Sequence, residues 1–380
     1  MDHHYDIAII GLGCAGSHVA IELIKQCPDI KIVVIDNAAA ILHKKWSFWE
    51  KGVGKWDHII LKEWSRGLFK TDLDSINLDM NPYVYKTINS VDFIAFAKAK
   101  LKESNHSTFI NSTVIDIDET DSELHAINHS DGTVHAKLVL DSRIDHQFFK
   151  DQKAITIQQH FKGWTIETTK DTFNPECFTM MDYSLKDQGT TSFTYILPYS
   201  SRKALIEFTY FSPDLVEDTV YDTFLKRYIT EQLNITDYKI VEVEKGIIPM
   251  TTYDFNQHHS QNCFKIGTAG GWVKPSTGYS FKMTEKKAAI LVRNYVNGLP
   301  LLTDLFTKRF SIYDSSMLSV LRDFNKDGPM FFHRLYKNNA IHNLFKFLDE
   351  ETTLSEEISI MKSMTSLRMI KAFKKSLYHA

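Results

Sequence analysis

Tyr5-Asp-Ile-Ala-Ile-Ile-Gly-Leu-Gly-Cys-Ala-Gly-Ser-His18, followed by Lys31-Ile-Val-Val-Ile-Asp36, carries an apolar strand, a glycine turn, the start of a helix and a second apolar strand ending in an acid. Gly11, Gly13 and Gly16 have the spacing G-x-G-x-x-G. The first glycine permits a sharp turn, the second lets the backbone approach a pyrophosphate, and the third allows close packing of helix on strand. A helix over about Cys14 to Gln26 aims its free N–H groups and positive dipole end at the phosphates. Asp36 is placed to accept hydrogen bonds from a ribose. This order predicts an α/β chain with a Rossmann-type dinucleotide-binding domain.

At 380 residues the chain is long enough for more than one domain. A net charge of −3 excludes a general nucleic-acid binder, which needs a basic excess. Cys14, Cys27, Cys177 and Cys263 are widely separated and form no C-x-x-C pair, so no metal site or disulfide framework is expected. His3-His4 and His258-His259 lack acids or cysteines at ligand spacing and read as loop residues. With the nucleotide fold beginning at Tyr5 and no apolar run long enough to span a bilayer, a cytoplasmic location is expected.

The nucleotide module does not continue uninterrupted. A stretch rich in Trp, Lys and Gly follows Asp36, and a helix is expected over Val91–Lys102. Strands follow at Thr108–Asp118, Glu123–Asn128 and Thr133–Leu140, with Ser130-Asp131-Gly132 as hairpin chemistry. From Ile155 to Met250, β-branched and aromatic runs predict an inserted sheet broken by one helix over Thr219–Leu233. Phe264-Lys-Ile-Gly-Thr-Ala-Gly-Gly271 returns to strand and glycine turn, and a helix is expected from Thr277 to about Asn297. Two glycine turns suggest an extended cofactor held at both ends. The expected division is 1–150 and 256–300 for the cofactor domain, 151–255 for a β-rich substrate domain and 301–380 for C-terminal helices.

Several motifs then recur in order: Asp141-Ser-Arg143, Gln159-His-Phe-Lys-Gly-Trp164, Met181-Asp-Tyr183, Phe193-Thr-Tyr-Ile-Leu-Pro198, Leu205-Ile-Glu-Phe-Thr209, Gly246-Ile-Ile-Pro-Met250 and Pro275-Ser-Thr-Gly-Tyr-Ser-Phe281. With the two glycine turns, they make the chain resemble the FAD-dependent lycopene β-cyclase family of bacterial type over nearly its whole length. The resemblance implies a fold shared with flavin monooxygenases and geranylgeranyl reductases. It implies an isomerase that closes the ψ-ends of lycopene, by way of a monocyclic carotenoid, into β-ionone rings, giving γ-carotene or β-carotene. The cofactor implied is reduced FAD, with NAD(P)H or another donor keeping it reduced. Other enzymes of the carotenoid pathway are the implied partners.

Such chemistry starts by protonating a carbon–carbon double bond, so it needs a positioned acid in a dry site. Glu207 matches the family's essential acid, the first glutamate of the plant-type F-L-E-E-T motif; Phe208 stands where that motif has its second. Apolar burial would raise its pKa and keep it protonated; on alternation alone it reads equally as a solvated residue. Phe347-Leu-Asp-Glu-Glu-Thr352 copies the motif's letters but reads as a charged helix end. A reduced anionic flavin ~4 Å from a developing cation, at an effective dielectric of ~20, would contribute about 4 kcal/mol.

Gly267, Gly270, Gly271, Thr277 and Gly278 are expected at the flavin, and Arg143 pairs with either a phosphate or a surface acid. Trp164, Asp182, Tyr183 and Tyr195 read either as sheet packing or as walls of a polyene tunnel. From Met361 onward, Lys362, Arg368, Lys371, Lys374 and Lys375 flank an apolar stripe of Ile360, Met364, Leu367, Ile370, Phe373 and Leu377. That pattern suits either a helix docked on its own core or one lying on the inner face of the cell membrane, and a bilayer-dwelling substrate favours the membrane. The rival readings are an FAD-dependent reductase or hydroxylase of an isoprenoid and a non-catalytic polyene binder.

Overall fold

The computed structural model describes residues 4–37, 44–121, 123–145, 148 and 150–379, apart from the side chains of 378 and 379. His3 lies outside them, and His4 begins the first strand. Strand β1 (His4–Ile10) lies between β2 (Ile32–Asp36) and β11 (Gly132–Asp141), all parallel, with β8 (Ser107–Asn111) beyond β2. β17 (Cys263–Lys265) runs parallel to the end of β11, bringing the second glycine turn beside the first. β10 (His125–His129) and β9 (Val114–Asp118) extend this sheet antiparallel. Both faces of β1 and β2 are covered, which is why these strands are continuous apolar runs. Ile7, Ile9, Ile32 and Val34 meet α1 (Cys14–Gln26), α2 (Ser90–Glu103) and α4 (Phe281–Val296). Ala8, Ile10, Val33 and Ile35 meet residues of β9–β11.

The Trp-rich stretch forms a small antiparallel sheet, β3 (Lys45–Lys51), β7 (Tyr83–Asn89) and β4 (Ile60–Trp64), in the order β3-β7-β4. The large second sheet has the order β16 (Tyr238–Thr251), β12 (Thr156–Thr168), β15 (Lys203–Ser212), β14 (Thr191–Pro198), β13 (Cys177–Asp182), β5 (Arg66–Lys70), β6 (Ser75–Asp79). A division at 150/151 therefore does not follow the sheet, because β5 and β6 join it by parallel pairing of β5 with β13.

Both faces of this sheet are buried as well. On β15, Ala204, Ile206, Phe208 and Tyr210 pack towards α3 (Asp218–Arg227) and the π-helical turn after it. Leu205 and Phe211 face the opposite side, where α5 (Lys308–Asp323), α6 (Gly328–Asn338), α7 (Ile341–Leu348) and α8 (Leu354–Ser363) complete an aromatic core. The helix expected from Thr277 begins only at Phe281, since Gly278 has φ +73° and its amide bonds back to Lys274. The expected C-terminal stripe is likewise broken at residues 364–366 between α8 and α9 (Leu367–His379).

Candidate active site

The first glycine turn is built as its spacing requires. Gly11 has φ +86°, and a Cβ on Gly16 would sit 1.9 Å from the Gly11 carbonyl oxygen, so only glycine permits this helix–strand approach. A Cβ on Gly13 would meet nothing within 4 Å, leaving open space at the N-terminus of α1 where a phosphate can approach. Asp36 ends β2 beside this turn and accepts from the Leu12 amide, while partial burial pushes its carboxyl upward. Gly267, at φ +65°, would place a Cβ 2.8 Å from Ala15 Cβ, so the second glycine turn rests on the start of α1. Gly270 approaches the Lys265 carbonyl, and Gly271 is left-handed against Phe255.

Arg143 is already occupied. Its guanidinium grips the fully buried Asp141 carboxylate through Nε and Nη2, and Lys265 binds the same carboxylate at 2.8 Å. It thus braces the ends of β11 and β17, and its acid partner is the interior Asp141, not a surface acid.

A cavity of about 550 Å³, lined mostly by apolar side chains, lies between the second sheet, the 276–281 loop and the C-terminal helices. Thr277, Gly278 and Tyr195 line it, as do Lys45, Trp46, Ser47 and Gln159. The hydroxyl of Thr277 and Oε1 of Gln159 are buried without a hydrogen-bond partner, so this end presents polar atoms fit for a ligand. Glycine is favoured at 278 by its left-handed φ of +73°, and a Cβ there would also push the flexible Gln159 side chain aside. Tyr85 bridges the hydroxyls of Tyr195 and Tyr279 at 2.9 and 3.1 Å. From the other side, Met364, Met369 and Phe373 close the wall.

Glu207 faces this cavity and is 7% exposed. Thr209 Oγ1 donates to its Oε1 at 2.7 Å. Burial first, and then the neighbouring Glu244 charge, push its carboxyl up to about 8, so at neutral pH it holds its proton. Phe208 points to the opposite face and stacks on Phe224 at 4.5 Å. The side chain following Glu207 therefore belongs to the α3 core and not to the cavity.

Trp164, Asp182 and Tyr183 are not among the cavity's lining residues. Trp164 packs in the α3 cluster because it falls on the other face of β12. Asp182 is fully buried, paired with Lys70 at 2.9 Å and accepting from Tyr228 and Ser184. Tyr183 packs between Phe69 and Phe193 within the core. Lys45 in the wall and Glu244 beside Glu207 escape sequence reading. A signal for Glu244 exists in Val241-Glu-Val-Glu-Lys245, but apolar alternation there suggests valines inward, whereas Val243 is 55% exposed and the Glu244 side chain 12%.

The motif copy at Phe347–Thr352 is docked, not solvated. Trp49 Nε1 donates to Asp349 at 2.9 Å, and Glu350 binds the buried Lys274 at 2.8 Å. Burial pushes the Asp349 carboxyl up to about 7.

Among solved structures the fold is similar to a geranylgeranyl bacteriochlorophyll reductase-like protein from Thermoplasma acidophilum, with a TM-score of 0.64, 12% identity, and coverage of 99% of this chain and 100% of that one. The halogenase PltM, in complex with phloroglucinol and FAD, gives a TM-score of 0.63 at 12% identity, covering 98% of this chain and 90% of that one. A lycopene beta-cyclase from Pantoea ananas is 24% identical over 331 residues, covering 81% of this chain and 76% of the relative. One from Paracoccus sp. is 25% identical over 297 residues, covering 76% and 73%. The family model described as lycopene cyclase protein matches residues 6–374, and the chain belongs to that family.

Proposed function

We propose that this enzyme cyclises the ψ-ends of lycopene to β-ionone rings, with Glu207 as the proton donor. The observation that carries the reading is a carboxyl, Glu207, buried against an apolar cavity in a chain of this family, with burial raising its pKa. Glu207 delivers its proton to a terminal carbon–carbon double bond, whose electron pair forms the new C–H bond and leaves a carbocation. A neighbouring double bond attacks that centre and closes the ring, and loss of one proton restores a double bond. One proton enters and one leaves, so the product is an isomer. Met180, Phe193 and Phe331 keep water from the cation, and the faces of Tyr195 and Tyr279 offer it π density.

The residues present fit FAD. Gly11, Gly13 and the start of α1 would hold its diphosphate, Asp36 its ribose, and Gly267, Gly270, Gly271, Thr277 and Gly278 its flavin end. When bound and reduced, by NAD(P)H or another donor, FAD supplies negative charge that stabilises a cation in a low-dielectric site. Residues 1–150 and 256–300 form the cofactor domain in this reading, except for β5 and β6. Those two strands serve the substrate sheet of 151–255, and 301–380 form the cavity's outer wall.

No helix among the described residues is long and apolar enough to cross a membrane. Leu367, Lys371 and Lys375 on α9 are exposed and do not line the cavity, while Ile370, Lys374 and Leu377, also exposed, line it together with Met369 and Phe373. This supports attachment of α9 to a membrane surface, with the polyene drawn from the bilayer. Glu207→Gln, assayed anaerobically with lycopene and reduced FAD, should bind FAD normally and lose cyclisation by on the order of 10²-fold or more. A variant with near-parental activity would overturn the assignment of the acid.

A further inference from the structure

Three strands bring two carboxyls together. Glu207 on β15 is in register with Gly163 on β12, and Gly163 is in register with Glu244 on β16. All three positions share one face, and two strand spacings of ~4.8 Å separate the outer pair. Any side chain at the central position would stand between them. A Cβ on Gly163 would lie 3.1 Å from Glu244 Cγ, 3.4 Å from Glu207 Cβ and 2.9 Å from Leu205 Cδ1. Through that gap Glu207 and Glu244 are hydrogen bonded. Lys45, on β3, binds Glu244 at 2.9 Å and Glu242 at 2.7 Å, and its own side chain is 8% exposed.

We propose that Glu244 is a positioning residue for the acid: its carboxylate, fixed by Lys45, reaches across the gap at Gly163 and accepts the hydrogen bond that Glu207 donates. The proposal rests on the cyclase reading for its role in turnover, but not for the carboxyl pair itself. Besides Glu244, the groups facing Glu207 are Thr209 on its own strand, Tyr195 on β14, Tyr199, Tyr279 before α4 and Lys45 on β3, with Glu242 on β16 acting through its pairing with Lys45. Lys45, Glu242 and Glu244 are the charged members of this set, so the balance between them sets how firmly Glu207 keeps its proton. Burial raises Glu244 too, and Lys45 opposes that shift. After the proton has left, a site flanked by Glu244 recaptures one readily, which suits an acid that must be reloaded each cycle.

The test is the pH profile of cyclisation by the FAD-loaded enzyme, together with the infrared band of the Glu207 carboxylic acid, identified by its loss in Glu207→Gln. Activity needs the protonated acid, so the rate falls as pH rises through its pKa. Glu244→Gln removes a like charge and should move that limb and the infrared titration down by about one pH unit. Lys45→Met removes a cation and should move both upward. Glu244→Asp, which keeps the charge, should stay close to the parent enzyme. Lys45 retains Glu242 as partner in the first variant, so folding is not expected to fail there. An unmoved titration in Glu244→Gln, or shifts in the same direction for Glu244→Gln and Lys45→Met, would overturn the proposal. An infrared titration that shifts as expected in a protein that makes no cyclised product would leave the carboxyl pair standing and refute the cyclase reading.

Discussion

As the proposed acid, Glu207 would have to be both a strong donor to a hydrocarbon and a carboxyl that stays protonated near neutral pH, and burial in an apolar wall reconciles these demands. Burial and the neighbouring Glu244 push its pKa well above the ordinary 4.5, up to about 8. Cyclisation should therefore be flat through neutral pH and fall above about 8, measured as initial rate against pH with saturating reduced FAD. The same shift has a stability sign. A raised carboxyl contributes stability that is complete below 4.5 and lost as pH rises through the folded value. Glu207→Gln should accordingly melt at a higher temperature than the parent enzyme above about pH 8, with the gap closing near pH 4.5. Turnover in that variant should fall by on the order of 10²–10⁴-fold or more, the usual worth of a general acid. The motif singles out Glu207 as the candidate acid, but its environment is not legible in the sequence. Strand alternation assigns neighbours to faces without saying that both faces of β15 are buried, nor that Gly163 opens a path to Glu244.

The glycine turns separate two kinds of backbone demand that look identical as letters. Gly16 is needed for packing, because a Cβ would strike the Gly11 carbonyl at 1.9 Å, whereas Gly13 faces open space. Gly13→Val should thus fold with a melting temperature within a few degrees of the parent and lose FAD, read by flavin absorbance after desalting. Gly16→Val should destabilise the fold itself, since backbone cannot yield as a flexible side chain can. The first βαβ unit is readable because local sequence sets all of its parts: apolar strands, turn, helix and acid lie within one short segment. The second sheet is readable strand by strand but not in membership. β5 and β6 join it through parallel pairing with β13, which sets Arg66 beside the distant Cys177, and no local pattern encodes such a partner. The start of α4 escapes sequence reading for a related reason, because left-handed Gly278 serves the cavity loop and delays the helix to Phe281.

The molecule joins a nucleotide fold, a two-faced sheet and a helical wall around one cavity, and the wall is where the sequence is least explicit. The 361–380 stripe reads as one amphipathic helix, yet Met364 and Phe373 line the cavity, Leu377 lines it while staying exposed, and Leu367 is exposed away from it. In the proposed reading this wall borders the cavity on its inner side and meets a membrane on its outer side. Replacing Lys362, Lys371 and Lys375, all exposed, by Glu should sharply reduce co-sedimentation with anionic vesicles while leaving FAD binding intact; unchanged sedimentation would remove the membrane assignment. A flavoprotein fold alone is shared with a halogenase and a reductase-like protein, and the cavity acid is what points to isomerisation instead of redox chemistry. The most direct measurement is the product mass and absorption after anaerobic incubation of the enzyme with lycopene and reduced FAD. Cyclisation predicts an unchanged mass with a blue-shifted spectrum, and a product altered by hydrogen or oxygen would contradict it.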